Sequence, residues 1–219
     1  MAQGDYVSFL DSDDRLYPHY LQEASELIAR YQNPVFFHLA YEVKTEGGKV
    51  LHQADRRRGN LNKKLLSGNI LSCLGVFVRR DVIRQNLFNE DRALAGSEDW
   101  ELWMRLASRY SIHYSNRICA AIIQHDERSV LKVDEAQLSQ RLNRAYQYLM
   151  EDEAFMQKFG KYCHRVRAHL LLYLSLHLGL AGKKKASLQY AGQALVKHPP
   201  VFFNKKFIVI LLKLLKASF

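Results

Sequence analysis

The sequence predicts an α/β fold followed by an all-α C-terminal region, and three observations carry that expectation. Up to about residue 130, short β-rich apolar runs alternate with amphipathic stretches, the order that builds a sheet covered by helices. After about Asp134 the apolar spacing becomes helical throughout. Charge divides near the same place: residues 1–153 hold 20 Lys+Arg and all 22 Asp+Glu, whereas residues 154–219 hold 12 Lys+Arg and no acid. The whole net charge of +10 therefore belongs to the last third.

The elements follow in order. Tyr6–Leu10 reads as a buried strand that empties into the acidic stretch Asp11-Ser12-Asp13-Asp14. Pro18 suits the first turn of a helix, where its missing N–H costs nothing. That helix runs to about Tyr31 with Leu21, Ala24, Ile28 and Ala29 on one face, and Asn33-Pro34 ends it. PVFFHLAYEV is β-rich, and Gly47-Gly48 turns it into KVLHQ, which predicts a hairpin. ADRRRGNLN is a loop whose three arginines, Arg56 to Arg58, read as a solvated charge run. CLGVFVRR is a strand, Ser97 to Arg109 a helix, and IHYSN and ICAAIIQH two short strands. Four helices are then expected over 136–159, 162–180, 184–197 and 203–216, with Gly182 and His198-Pro199-Pro200 as breaks. The stretch LGLAGKKKASLQYAGQALVKHPP resembles half of a tetratricopeptide unit, and one partial match does not make a repeat array.

At 219 residues and 48% hydrophobic the chain is long enough to bury a real core. Acids interrupt the first apolar run, so no signal peptide is expected, and no window of about 20 residues is apolar enough to span a bilayer. Cys73, Cys119 and Cys163 are odd in number and widely spaced, which gives neither a disulfide framework nor a zinc pattern. They read as core residues in a reducing, cytoplasmic compartment.

Two acidic clusters carry the chemistry. In DSDD, alternate residues of an extended segment point the same way, so Asp11 and Asp13 converge. Paired carboxylates repel unless a cation lies between them, and oxygen-only ligands suit Mg²⁺ or Mn²⁺. Taken alone the cluster reads first as an acidic turn that ends a strand and precedes a helix. In AGSEDWELWMRL, Ser97 suits an N-cap and Glu98 and Asp99 fall in the first turn. There they complement the helix dipole or, fixed by Trp100 and Trp103 on the buried stripe, supply a general base. A third candidate, His125, ends an apolar strand and reads as a surface histidine or a metal ligand.

The order of these segments resembles the family 2 glycosyltransferases of the GT-A fold. The matching segments are A-x-G-x-Y-x-x-F-L-D-S-D-D at residues 2–14, Glu98-Asp99 ahead of Leu102-Trp103-Met104-Arg105-Leu106, and a strand ending in His125 before Ser129. The resemblance covers about residues 2–130. It implies an incomplete GT-A (Rossmann-like) mixed sheet over 1–130 and a basic helical extension over 131–219. It also implies an inverting transfer from a nucleotide sugar, a UDP-sugar first, to a glycan or lipid-linked acceptor of envelope polysaccharide. Asp13, with Asp11 and His125, would hold the divalent metal, and Asp99 in preference to Glu98 would be the base. In that family the first strands and the nucleotide pocket usually precede the acidic motif. The resemblance therefore also implies a chain that binds donor poorly alone and works with a second chain or a longer product. The alternative is a non-catalytic GT-A remnant acting as a docking module.

The tail adds one expectation. FFNKKFIVILLKLLKASF suits an interfacial helix on the inner, anionic face of the cytoplasmic membrane, with lysine stems reaching the headgroups. It suits equally a terminal helix that covers the core. Nucleic acid is not expected as a partner, because the tail's aromatics recur at apolar helical positions and no binding signature is present.

Overall fold

The computed structural model describes residues 2–53, 56–124 and 134–216, with side chains through residue 212. The chain forms two compact units: Met1–Lys64, Asn69–Phe88 and Leu106–Arg128 make the first, and Leu65–Gly68, Asn89–Arg105 and Ser129–Phe219 the second.

The first unit is a mixed sheet. Its strands are β1 (Tyr6–Ser8), β2 (Arg15–Leu16), β3 (Phe36–Thr45), β4 (Val50–Gln53), β5 (Val76–Arg79) and β6 (Ile112–Gln124). They run in the order β1-β5-β3-β6-β2, with β4 also on β3. The β3–β6 pairing is parallel and the others are antiparallel. Central position explains the sequence of β3: Phe36 to Ala40 are all buried, an unbroken apolar run except for His38. His38 Nε2 accepts the Ser72 N–H at 3.2 Å, and full burial drives its pKa well below the usual value, so the ring is neutral. Gly75 is required beside it, since a Cβ there would lie 2.5 Å from both His38 Nε2 and the Leu39 carbonyl.

Three expectations change here. β1 stops at Ser8, and Leu10 is exposed. Helix α1 (Tyr20–Arg30) buries Tyr20, Glu23, Ala24 and Leu27, one step from the predicted face, and leaves Leu21 70% exposed. The reason is Glu23, which accepts from Ser115 Oγ and pairs with Arg117, so a buried acid occupies the stripe where only apolar residues were sought. The two short strands expected over 112–124 are one strand, β6, whose register against β3 shifts between Leu39 and Tyr41. Ser115-Asn116 marks a bulge rather than a turn. Asn116 fixes the neighbouring loop there, accepting the Arg57 N–H at 2.7 Å and donating to the Arg57 carbonyl at 3.1 Å. Arg57 is only 9% exposed and donates to the Ile70 carbonyl, so the arginine run is not simply solvated. Two short helices, α2 (Leu61–Leu65) and α3 (Arg80–Gln85), complete the connections.

The second unit is helical. It holds the start of α4 (Glu98–Arg109), then α5 (Glu135–Glu151), α6 (Glu153–Phe159), α7 (Cys163–Leu180), α8 (Lys184–Lys197) and α9 (Lys205–Lys216). The long helix expected over 136–159 is split because Asp152 leaves helical geometry and caps α6, accepting the Phe155 N–H at 2.7 Å. Helices α7 and α8 form the expected hairpin through Gly182, whose φ of +78° favours glycine. Small residues close its seam: Ser175 Oγ donates to the Ser187 carbonyl at 2.7 Å and Ser187 Oγ returns a bond to the Ser175 carbonyl at 2.8 Å. Phe207 and Ile210 of α9 join the core of this hairpin, while Ile208, Val209 and Leu212 stay exposed. The tail helix thus has both an anchored and an open apolar face.

Candidate metal and catalytic site

The acidic turn follows β1 directly. The Asp14 N–H donates to the Asp11 carbonyl at 3.1 Å, closing a four-residue turn. This replaces the extended geometry expected for DSDD, and the turn brings in a third acid. One carboxylate oxygen from each of Asp11, Asp13 and Asp14 lies within 4.8 Å of the others. Asp14 also accepts the Ile123 N–H at 3.2 Å, tying the turn to β6 just beyond the Arg15–Ala121 and Leu16–Ala120 pairs. The edge-on contact of Phe9 with Phe88, centroids 5.2 Å apart, holds the approach to the turn.

Three hard oxygen donors fit Mg²⁺ or Mn²⁺. With bonds near 2.1 Å, neighbouring and opposite ligands of an octahedral shell stand about 3 to 4.2 Å apart, so Asp11 and Asp13 need only small side-chain movements. Asp11 is exposed and Asp13 part-buried. Asp14 was not among the residues expected from the sequence. Its signal was present, since three acids in four residues favour a turn over a continued strand. β6 is described through Gln124; His125, expected as a ligand, and Ser129 lie outside the described residues.

Glu98 and Asp99 belong to the second unit, at the start of α4. Trp100, Trp103, Leu106 and Ala107 are buried as the stripe predicts, and Trp100 Nε1 donates to the Leu65 carbonyl at 3.2 Å. At the helix start Glu98 turns back so that Oε2 accepts the N–H groups of Gly96 and Ser97. Asp99 Oδ1 accepts its neighbour's N–H, from Trp100, at 2.6 Å. Gly96 has a φ of +86°, and a Cβ on it would meet Arg141 Nη1 at 2.6 Å, so the loop before the two acids needs its glycine. None of Asp11, Asp13, Glu98 and Asp99 lines the polar cavity of about 1040 Å³ beside α5, which is bordered by Asp91, Glu135, Arg144 and Tyr190.

One further cluster in the sheet unit escaped the sequence. Glu42 of β3 accepts from the Tyr17 hydroxyl, from Lys44 Nζ at 2.7 Å and from Gln53 Nε2 at 3.0 Å. Burial pushes its pKa up, but these hydrogen bonds outweigh it and hold the carboxyl below its ordinary value. Glu42 and Lys44 stand two apart on one face of a strand, a spacing that the strand assignment alone makes visible.

No family model matches the chain. Among curated proteins it is similar to an uncharacterized glycosyltransferase of Rickettsia bellii, 26% identical over 164 residues, which is 74% of this chain and 23% of that protein. A second, from Rickettsia felis, is 28% identical over 113 residues, 51% of this chain and 18% of that protein. The chain thus spans about a fifth of the length of the curated relatives it matches. Among solved structures it is similar to residues 1–349 of S. aureus TarS in complex with UDP, with a TM-score of 0.51 and 13% identity over 90% of this chain and 64% of the TarS chain. That likeness shows the fold: a GT-A mixed sheet followed by a helical C-terminal region. No helix among the described residues is long and apolar enough to cross a membrane.

Proposed function

We propose that this chain is the metal- and base-bearing part of an inverting family 2 glycosyltransferase, moving a sugar from a nucleotide-sugar donor to a glycan or lipid-linked acceptor of envelope polysaccharide. The observation that carries this reading is the convergence of three carboxylates on one turn pinned to the central sheet. The glycosyltransferase names of the Rickettsia relatives support the reaction class. The UDP in the TarS complex makes a uridine nucleotide the donor to test.

In this reading Asp11, Asp13 and Asp14 hold a divalent cation, Mn²⁺ or Mg²⁺, which when bound neutralises the departing diphosphate. His125, which directly follows β6, is assigned as a further ligand. Asp99, the second acid of the pair as in the family pattern, takes the proton of the acceptor hydroxyl, while Glu98 accepts from the amides of Gly96 and Ser97. β1 pairs with β5 alone among the described residues, so its other edge accepts a further strand. We assign the nucleoside pocket to such strands, from a second chain or a longer polypeptide. α9, with its open apolar face and lysines, is assigned to the anionic inner face of the cytoplasmic membrane.

Calorimetric titration of the chain with Mn²⁺ and either UDP or pyrophosphate tests this. The metal-dependent binding of the two should be of similar affinity, because the turn holds the diphosphate and not the nucleoside, and Asp13→Ala should abolish that metal-dependent binding for both. Absence of metal-dependent heat with either ligand would overturn the catalytic reading and leave the docking-module alternative.

A further inference from the structure

We propose that the helical unit contains a second, oppositely charged site: a pocket for a phosphate or diphosphate group formed by Ser67, Arg165, His169, His198 and Asn204, with Phe203 at its rim. These residues line a cavity of about 310 Å³, larger than one phosphate and suited to a diphosphate or a phosphorylated headgroup. Arg165 is oriented for it, its Nη2 and Nε donating to Ser67 Oγ at 2.7 and 3.2 Å. Next to Ser67, Gly68 has a φ of +125°, and a Cβ there would meet Lys206 Nζ at 3.2 Å, so the glycine admits a second cation. Lys206 Nζ lies over the Tyr173 ring, 5.9 Å from its centroid, and burial lowers its pKa.

His169 is the central observation. It is 7% exposed, and its Nδ1 is buried with no hydrogen-bond partner among the described residues. Burial first, and then the charges of Arg165, Lys206 and His198, lower its pKa to about 4. Among the described residues no carboxylate pairs with Arg165, His169, His198 or Lys206, and residues 154–219 contain no acid at all. Collecting like charges and an unsatisfied imidazole in a desolvated pocket costs free energy. A bound oxyanion removes that cost in one step, because Arg165 offers a planar fork and His169 a ring nitrogen that is drawn to protonate.

One chemistry here has two sources. A soluble phosphate ester would fill the pocket alone. A lipid headgroup would fill it while the exposed Phe203, at 82%, and its neighbour Phe202 enter the apolar layer. The pocket stands apart from the sugar-transfer chemistry; only the lipid source rests on membrane contact through α9.

The test uses the whole chain with a chelator present, so that metal-bound anion at the acidic turn does not contribute. The imidazole resonances of His169 are followed by NMR against inorganic phosphate and pyrophosphate. Saturable shifts are expected, with the His169 pKa rising by about one unit or more when the anion is bound. Arg165→Gln should weaken binding by about tenfold or more, and Arg165→Lys, which keeps the charge and guards against a folding defect, should retain part of it. In parallel, flotation is measured with phosphatidylglycerol and phosphatidylcholine vesicles. Flotation on the anionic vesicles that is lost in both Arg165→Gln and Phe203→Ser assigns the pocket to a lipid headgroup. Saturable pyrophosphate binding without flotation assigns it to a soluble ester. The proposal is overturned if His169 does not respond to either anion and no vesicle binds. It is equally overturned if the folded Arg165→Gln chain binds anion or vesicle as well as the unaltered one.

Discussion

The sheet unit and the last three helices handle buried charge in opposite ways. In the sheet unit each buried carboxylate is answered by a cation and a neutral donor: Glu23 by Arg117 and Ser115, Glu42 by Lys44, Tyr17 and Gln53. In the last three helices there is no carboxylate to give, and hydroxyls take that place, Ser67 for Arg165 and the Ser175–Ser187 pair across the hairpin. Their like-charge clusters differ as well. The acidic turn lies at the surface, with Asp11 exposed and Asp13 part-buried, and in water two charges 4 Å apart repel by only about 1 kcal/mol. Burial disfavours the charged forms of His169 and Lys206, joined at His169 by the neighbouring cations. An exposed acidic turn is inexpensive to keep and so says little until its ligand is tested. A part-buried basic cluster around a buried, unpartnered imidazole is costlier to keep and so points more strongly to a ligand.

The largest expected effect tests the exposed side. Under the proposed function, Asp99→Asn should lower sugar transfer on the order of 10² to 10⁴-fold while leaving Mn²⁺ affinity unchanged. Glu98→Gln should leave transfer near its starting rate and cost a few tenths to about 1 kcal/mol of stability, as the loss of a charge at a helix start does. Steady-state kinetics beside thermal melts separates the two. A reversal, with Glu98→Gln the inactive variant, would move the base to the residue that the structure occupies with capping.

Acid titration, with and without pyrophosphate, should next separate the regions. His169 has a pKa near 4 in the folded chain and an ordinary value near 6.5 unfolded. Between those values the unfolded chain binds the extra proton, so stability falls as pH drops through that window, by about 3 kcal/mol at most. The lowered pKa values of His177 and His198 act in the same direction. Glu42 has its folded pKa below the unfolded one, so its contribution is full above about 4.5 and is lost only as pH falls further. His38 of β3 is a buried neutral histidine as well, so amide exchange at pH 5.5 against pH 7.5 should show protection falling in both α7 and β3. Pyrophosphate should restore α7 and leave β3 unchanged if the anion pocket is real, and equal restoration in both would break the contrast.

How much of this was legible in the sequence follows the same division. Helices 162–180 and 184–197 were readable almost to the residue, because periodicity and Gly182 are local signals. The sheet was read element by element, but β6 looked like two strands because Ser115-Asn116 carries turn chemistry that tertiary pairing turns into a bulge. Asp11 and Asp13 were legible as a pair. Their true geometry was not, since a turn and a strand end spend the same residues differently. Ser67, Arg165, His169 and His198 were invisible as a group: they span over a hundred positions, and nothing in residue 67 announces an arginine at 165.

The smallest effects sharpen the comparison most cleanly, because they set ionic and neutral devices of similar size side by side. Ser187→Ala removes one buried hydroxyl bond between α7 and α8 and should cost about 1 kcal/mol. Glu23→Gln keeps an oxygen for the Ser115 hydroxyl and removes only the pairing with Arg117, whose side chain is 48% exposed, so it should also cost no more than about 1 kcal/mol. Salt distinguishes them. Raising ionic strength toward 1 M shortens the screening length to about 3 Å, so the Glu23→Gln penalty should shrink while the Ser187→Ala penalty holds. Denaturant melts of both variants at low and high salt measure this directly. A Ser187→Ala penalty that fell with salt would mean that the acid-free helices rely on charge after all, through contacts to their lysines, and that the hydroxyl seam is incidental to their packing.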